Sequence, residues 1–350
     1  MSTNEKDADK EENEELYEHY KIKADAGQEV IRIDKFLMDR IANTTRNKIQ
    51  NAAKNGNIHV TGKPVKQNYK VKPGDEVSIV LPYPVREIEL IPQAIPLDIH
   101  YEDDCVVVVN KPSNMVVHPG YGNYSGTLVN ALVHHFENLP EKPDNYYGRP
   151  GLVHRLDKHT TGLMVIAKTE DALTKLAKQF YDRTTERRYH ALVWGDVVDD
   201  EGTIEGNLGR SLKNRKVMQV FPEGDHGKHA VTHYKVLRRF GYVTLVECKL
   251  ETGRTHQIRV HMKYIGHPLF NDLEYGGDKI IKGTTFSKYK QFIENSFQLL
   301  EGQVLHAKTL GFNHPETNTF LSFDSELPEN FQNVLDRWER YTANRNDFNQ

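Results

Sequence analysis

The sequence predicts an α+β fold: a largely antiparallel, mixed sheet flanked by helices, preceded by a small αα-β domain. Three observations carry this. After about residue 97, apolar strands and amphipathic helices intermix without strict βαβ alternation, which disfavours a doubly wound parallel sheet. Within residues 29–82, helical apolar spacing gives way to strand-like alternation. Between the two, Leu81 to Pro96 holds Pro82, Pro84, Pro92 and Pro96. Proline fixes φ and lacks a backbone donor, so residues 83–96 read as a semi-rigid linker and a domain boundary. At 350 residues, the chain is long enough for about two domains.

Residues 1–28 hold nine acids against four lysines, a net −5. They are polar and aperiodic and cannot bury enough apolar area to offset ordering entropy. They read as a disordered acidic tail whose simplest role is solubility. In residues 29–82, Ile33 to Ile41 shows helical spacing, and Asn43-Thr44-Thr45 supplies a break and an N-cap. A second, basic helix runs from Thr45 to Lys54 and closes at Asn55-Gly56. Ile58-His59-Val60, a turn at Gly62-Lys63-Pro64, and the alternating Glu76 to Val80 follow as strands. Arg40, Arg46, Lys48 and Lys54 crowd the helices and could share one basic face.

The body, residues 97–341, opens with the buried strand Cys105 to Val109. A helix at Thr127–Phe136 and a strand at Gly162–Ala167 follow. Thr169 caps a helix whose first turn carries Glu170 and Asp171, which suits the helix dipole. Tyr189–Val197, Val231–Val236 and Val243–Leu250 read as strands, and Leu327 to Tyr341 as a helix. Residues 342–350 form a polar tail.

Several classes are excluded. No run of about 18 apolar residues exists, so no membrane span is expected. The acidic N-terminus lacks the basic and apolar blocks of a secretory signal. Two cysteines, Cys105 and Cys248, cannot make a disulfide framework or a four-thiolate zinc site, and a reducing cytoplasm is the default location. Gly56 to Gly62-Lys63 is one residue too long for a phosphate-binding loop, and Pro64 replaces its hydroxyl. Gly120 to Gly126 misses the dinucleotide fingerprint, and no G-x-S-x-G elbow occurs. Residues 29–82 carry ten Lys/Arg against five acids, a net +5, while residues 83–350 carry −3. This asymmetry fits a nucleic-acid partner, although charge alone also fits a solvated mixed surface.

Two constellations stand out. Gly151-Leu152-Val153-His154-Arg155-Leu156-Asp157-Lys158-His159-Thr160-Thr161-Gly162 sets five ionisable residues between apolar runs. As pure structure such a cluster is expensive, so it favours a site over a core; the plain alternative is an exposed turn. Thr252 to His261 follows a strand and brings Arg254, His256, Arg259 and His261. Read as a continuing strand, it sends Arg254 and Arg259 to opposite faces, so only one can face a pocket. His256 and His261 are five apart with no HExxH pattern, which leaves zinc a weak reading, and the cations suit a phosphate or a carboxylate.

These motifs resemble the RluA-type pseudouridine synthases, in particular their RluD-like branch. GLVHRLDKHTTGLMVIAK (151–168) is similar to the catalytic motif of that family. VVVVNKPSNMVVHP (106–119), RRYHALVWG (187–195), HAVTHYKVL (229–237), LETGRTHQIRVHM (250–262) and LHAKTLGFNHP (305–315) follow in the same order. The resemblance spans about Ile99 to Pro328. Thr161 stands where the family usually has Ser, and Arg188 where Lys or a small residue is common. Residues 29–82 resemble the RNA-binding domain of the ribosomal protein S4 type.

The resemblance implies a pseudouridine-synthase fold and an isomerase acting on structured RNA. Such an enzyme breaks the uridine glycosidic bond, turns the base and rejoins it through a ring carbon. Large-subunit (23S) ribosomal RNA is the implied substrate, with tRNA or a non-catalytic ribosome-assembly role as alternatives. Asp157 would be the catalytic aspartate, Arg259 its partner, and Tyr189 the ring that stacks on the base. Arg155 would fill the space left by the extruded uridine. His154, Arg254, Arg40, Arg46, Lys48 and Lys54 would contact RNA. No metal, small-molecule cofactor or membrane is implied, and a monomer is expected. The chemistry agrees with the assignment. A stacked base must be flipped out at a few kcal/mol, a carboxylate can act at the sugar as nucleophile or base, and stacking on an aromatic ring contributes about 1–3 kcal/mol.

Overall fold

A computed structural model describes residues 17–41, 44, 46–81, 90–120, 122–140, 149–214 and 217–346. The chain divides into a small unit that ends after β6 and a large unit that starts at Leu90. The small unit contains β1 (Tyr17–Lys23), β2 (Ile31–Arg32), α1 (Ile33–Met38), α2 (Arg46–Lys54), β3 (Ile58–Val60), β4 (Lys63–Pro64), β5 (Lys70–Val71) and β6 (Glu76–Leu81). Its main sheet has the order β1-β6-β3-β4. Ile33, Phe36, Leu37, Ile49, Ile58 and Val77 form the core between helices and sheet. The N-cap expected at Thr45 lies outside the described residues.

The stretch 1–28 is not uniformly unstructured. Tyr17–Lys23 pairs antiparallel with β6, from Tyr17 opposite Leu81 to Lys23 opposite Glu76. Ala24 is buried. The charge of this segment masked its alternation: Tyr20 and Ile22 pack on the core while Lys21 pairs with Glu76 at 2.9 Å on the outside. Residues 1–16 lie outside the described part, as do 82–89 of the linker segment. From Leu90 the chain is no free connector. Gln93 N donates to Asn130 O, Gly126 N donates to the Gln93 side chain, and Asn130 Nδ2 donates to Ile91 O.

The large unit runs β7 (Ile99–Glu102), β8 (Val106–Lys111), α3 (Leu128–His135), β9 (Thr161–Ala167), α4 (Glu170–Asp182) and β10 (Glu186–Trp194). It continues β11 (Glu201–Arg210), β12 (Met218–Phe221), β13 (Lys228–Arg239), β14 (Val243–Leu250) and α5 (Gln257–Tyr264). It ends α6 (Ser287–Phe297), β15 (Leu305–Asn313), β16 (Phe320–Asp324) and α7 (Glu329–Asn346). Thr127 caps α3 and Thr169 caps α4, each accepting from a backbone N–H of the first turn. The sheet has the order β12-β11-β13-β14-β10-β15-β9-β8-β7, with β16 on β15. Its pairs are antiparallel except β9 with β15. The fold is therefore α+β with a mixed, antiparallel-dominated sheet. Gly162 makes the parallel pair possible, because a Cβ there would sit 2.3 Å from Ala307 O.

The helix α7 extends to Asn346, five residues beyond the expected end of the body. Its Trp338 packs with Trp194, Phe270 and Tyr289 in one core cluster. A second cluster, which includes Val107, Leu156, Tyr189, Ile258 and Ala307, lies under the site described next. No described helix is long and apolar enough to cross a membrane.

Candidate active site

Three segments converge at one end of the large sheet. The first is the loop before β9. Leu152 bridges Ile166, and Ala167 N donates to Gly151 O at 2.9 Å, so the loop doubles back along β9. Leu156 is 5% exposed and anchors the loop in the core, a contribution of about 1.5–3 kcal/mol for a buried leucine. Its neighbours Arg155 and Asp157 line the cavity instead. Thr160 N donates to Asp157 O at 3.1 Å and closes the turn. Lys111, 1% exposed, fastens the loop from below: its ammonium donates to the carbonyls of Pro112, Met115 and Lys158. Burial pushes its pKa down to about 7, against the charges of Asp157 and Glu301.

The second segment is β10, which carries Tyr189 beside a register shift against β15. Tyr189 is 7% exposed and lines the same cavity as Asp157. Burial raises its phenol pKa. Among the described residues its hydroxyl makes no hydrogen bond.

The third segment is α5 and the turn before it. The strand expected through Arg254 and Arg259 ends at Leu250, and Gln257–Tyr264 is a helix. All six residues from Gln257 to Met262 are buried, so no exposed stripe marks the helical period. Gln257 organises the turn, its Oε1 accepting from Thr252 and Arg254 N, its Nε2 donating to Val231 O. Arg254 thus sits in the turn, with its Nε donating to His229 O at 3.1 Å. Arg254 and Arg259 still line one pocket together with Asp157 and Tyr189, so the expected separation onto opposite faces does not hold.

Arg259 ties these segments together. Its Nη1 donates to Asp157 Oδ2 at 3.1 Å, and its Nε and Nη2 grip Asp272 at 2.7 and 2.8 Å. Nη2 also meets Glu274 Oε2 at 2.6 Å. The planar fork therefore holds Asp272, not Asp157, in two places. Burial alone would lower the guanidinium pKa, but Asp272, Asp157 and Glu274 hold it raised. His256 precedes α5 with a left-handed backbone, φ 55°, a strained conformation for a non-glycine residue that clusters at functional sites. Its Nε2 lies 3.8 Å from Asp157 Oδ1 and its Nδ1 2.8 Å from the Tyr275 hydroxyl.

Asp157 lies where two cavities of about 570 and 590 Å³ share Arg155, Asp157 and His256. Each falls within the roughly 300–1,000 Å³ of small-ligand sites. Arg155 is exposed at the rim. His154 is occupied within the protein: its Nε2 accepts from Val165 N at 3.1 Å and its ring stacks on Phe180. Burial, helped by Arg187, pushes its pKa down to about 3, so it is neutral.

In the small unit the expected shared basic face is only partial. Arg46 Nε donates to Asp34, which is fully buried and also held by Arg32 and Gln50. Arg40 stacks over Phe36 at 4.1 Å and donates to Gln28. Lys48 and Lys54 are exposed on α2.

Sequence reasoning missed Asp272, Glu274, Lys111 and Arg187 as site residues, and weighed His256 only as half of a weak zinc pair. The first two lie in no constellation, because the loop that carries them is joined to Arg259 only in space. One further group brings metal-ligand types together: Asp103, Cys105 and His314 place donor atoms within 4.8 Å of one another. Each is already partnered. The Cys105 thiol donates to Glu316, which with burial pushes its pKa up to about 11. His314 Nε2 meets Asp103 at 2.9 Å, while its Nδ1 faces the N–H groups of Glu316 and Thr317. That pattern leaves the proton on Nε2 and describes a hydrogen-bonded joint.

The RNA pseudouridylate synthase family model matches residues 105–264, and the S4 domain model matches residues 31–77. An uncharacterized RNA pseudouridine synthase of Chlorobaculum parvum is 48% identical over 89% of this chain and 94% of its own length. This chain belongs to the RNA pseudouridine synthase family. The ribosomal large subunit pseudouridine synthase D of Neisseria meningitidis serogroup B is 40% identical to the synthase over 87% of this chain and 78% of its own length. The solved structure of human RNA pseudouridylate synthase domain containing 1 aligns with TM-score 0.50 at 25% identity, over 67% of this chain and 84% of that one. The synthase is thus an isomerase with an S4 domain ahead of its catalytic domain.

Proposed function

We propose that the synthase converts uridines of large-subunit (23S) ribosomal RNA to pseudouridine, with Asp157 as the catalytic carboxylate. The observation that carries this reading is the setting of Asp157. Its Oδ2 accepts from Arg259, its Oδ1 accepts no hydrogen bond among the described residues, and Asp157 lines the cavity that Tyr189 also lines. The relatives that bear the name ribosomal large subunit pseudouridine synthase D support the substrate class. A uridine flipped from the RNA stack brings its sugar to Asp157 and its base against Tyr189, and Arg155 enters the gap left behind. The unbonded Tyr189 hydroxyl lies near the ring carbon that must lose a proton. The S4 domain adds affinity through Lys48, Lys54 and its net charge.

Asp157→Asn tests the assignment. The amide keeps the shape but cannot act as nucleophile or base. Tritium release from ring-labelled RNA should vanish while RNA affinity stays nearly intact. Activity within tenfold of wild type overturns it. Chemical mapping of pseudouridine in 23S RNA and tRNA from cells lacking the protein identifies the substrate: lost sites in tRNA alone overturn the ribosomal reading.

A further inference from the structure

We propose that the cavity beside Asp157 contains a subsite for an RNA backbone phosphate, built on Arg187 and flanked by Arg183 and Arg254. It rests on the reading of Asp157 as the catalytic residue of an RNA-acting site.

The two buried arginines of this region differ sharply. Arg259 carries three carboxylates. Arg187 is also buried, 8% exposed, and among the described residues its side chain has neither a hydrogen bond nor an ion pair. Its Nε is wholly buried without a partner. Its guanidinium carbon lies 5.4 Å from the centre of the Phe180 ring. A guanidinium whose Nε is buried without a partner and which opens on a cavity has unused donors, and an anion in that cavity would complete them. The adjacent His154 is held neutral and adds no second charge.

The surroundings fit an anion. Arg155, Arg183, Arg187 and Arg254 all line this cavity, and Asp157 is its single acid. Among the described residues none of the four arginines is within ion-pair distance of a carboxylate. Gly253 keeps the approach open, since a Cβ there would sit 3.0 Å from Arg187 Nη1. Arg254 is steadied by His229 O, and Arg183 by its place as the left-handed C-cap of α4, φ 61°. A planar guanidinium flanked by two more matches the tetrahedral, doubly accepting phosphate better than a lone ammonium would. RNA is the favoured source. The same cavity holds Asp157 and Tyr189, so a nucleotide placed there brings its own phosphates. Tyr181, 86% exposed at the rim, offers a face for a neighbouring base.

The test uses full-length wild type and Arg187→Met with a target stem-loop. Binding is measured from 50 to 200 mM salt, and single methylphosphonates are placed in turn around the target uridine. Arg187→Met should reduce the log Kd against log salt slope by about 0.7–0.9 and raise Kd about tenfold. Its unfolding midpoint should not fall, because an apolar side chain replaces an unpaired buried charge. One methylphosphonate position should weaken wild type and leave Arg187→Met unaffected. An unchanged slope overturns the proposal, as does a lowered melting temperature with unchanged Kd, which marks a purely structural arginine. Inorganic phosphate that protects wild type but not the variant, with no sensitive methylphosphonate position, assigns the pocket to free phosphate and also overturns it. Wild type alone keeps the test readable if the variant does not fold, since absence of any sensitive position is decisive. Tritium release by Asp157→Asn on the same RNA reads the underlying assignment separately.

Discussion

Replacing Arg259 by lysine should reduce stability and turnover through different carboxylates. The guanidinium makes four N–H···O contacts: two to Asp272, one to Glu274 and one to Asp157. Asp272 is fully buried and cannot turn to water. A lysine ammonium is a single point, so if it stays with Asp272 it releases Asp157, and if it reaches Asp157 it strands Asp272. Losing about two charge-assisted bonds removes roughly 3 kcal/mol once the retained charge is allowed for. For a domain of this size that is about 6–12 °C in Tm. Turnover should fall about tenfold or more, at about 1.4 kcal/mol per decade, because Asp157 is no longer held toward the substrate. Thermal unfolding, single-turnover tritium release at saturating RNA, and equilibrium binding measured on the same preparation separate these effects. An unshifted Tm with weakened binding and untouched chemistry would refute the reasoning.

Two further outcomes follow from the buried polar groups. His306 is fully buried between Thr161 and Ser325, and burial, with His190 and Lys308, pushes its pKa down to about 4 from 6.5. The unfolded chain therefore takes up a proton below pH 6.5 that the folded one refuses until pH 4, so its stabilisation is complete above 6.5 and is lost as pH falls; His306→Gln should flatten denaturant stability against pH in that window by up to about 1.4 kcal/mol per unit, and an equal slope in both proteins refutes this. Arg46→Gln should lower small-domain stability by about 1 kcal/mol, read by hydrogen exchange of α1 and β3, because it takes a partner from buried Asp34; unchanged exchange with a reduced salt slope for RNA would instead return Arg46 to RNA contact.

Element type was legible where a cap with its acidic first turn or a continuous apolar run marks it. Thr169 with Glu170 and Asp171 announces α4, and Val243–Leu250 is a strand with the bounds read from its pattern. Legibility failed in a helix buried on every side and in a strand whose charges overlie its burial. In Gln257–Met262 every side chain is buried, so the helix offers no period to read. In Tyr17–Lys23 the core-facing Tyr20 and Ile22 are interleaved with Glu18 and Lys21, and the segment passes for a tail. The site divides in the same way. Asp157, Tyr189 and Arg259 each lie in a dense local motif. Asp272 does not, and its role exists only because the chain returns to within 2.7 Å of Arg259. Arg187 was hidden by its position: a cation at the start of a strand ordinarily points to water, and only its burial beside Phe180 sets it apart.

The three carboxylates around Arg259 bear on how Asp157 can work in the proposed reaction. A lone Asp–Arg pair with a two-point fork would use both oxygens of the carboxylate. Here Asp272 takes the fork and Glu274 shares its second nitrogen, so Asp157 receives one bond, at 3.1 Å, on Oδ2. Its Oδ1 accepts no hydrogen bond among the described residues, and His256 Nε2 lies 3.8 Å from it, on an imidazole whose pKa burial lowers. The guanidinium is thus used mainly to be held still, and through it one oxygen of Asp157 is oriented while the other stays available to a sugar. Orientation without neutralisation is what a carboxylate needs whether it attacks the sugar or removes its proton. If Asp157 is the catalytic carboxylate, as proposed, Asp272 is a positioning residue although it is fully buried.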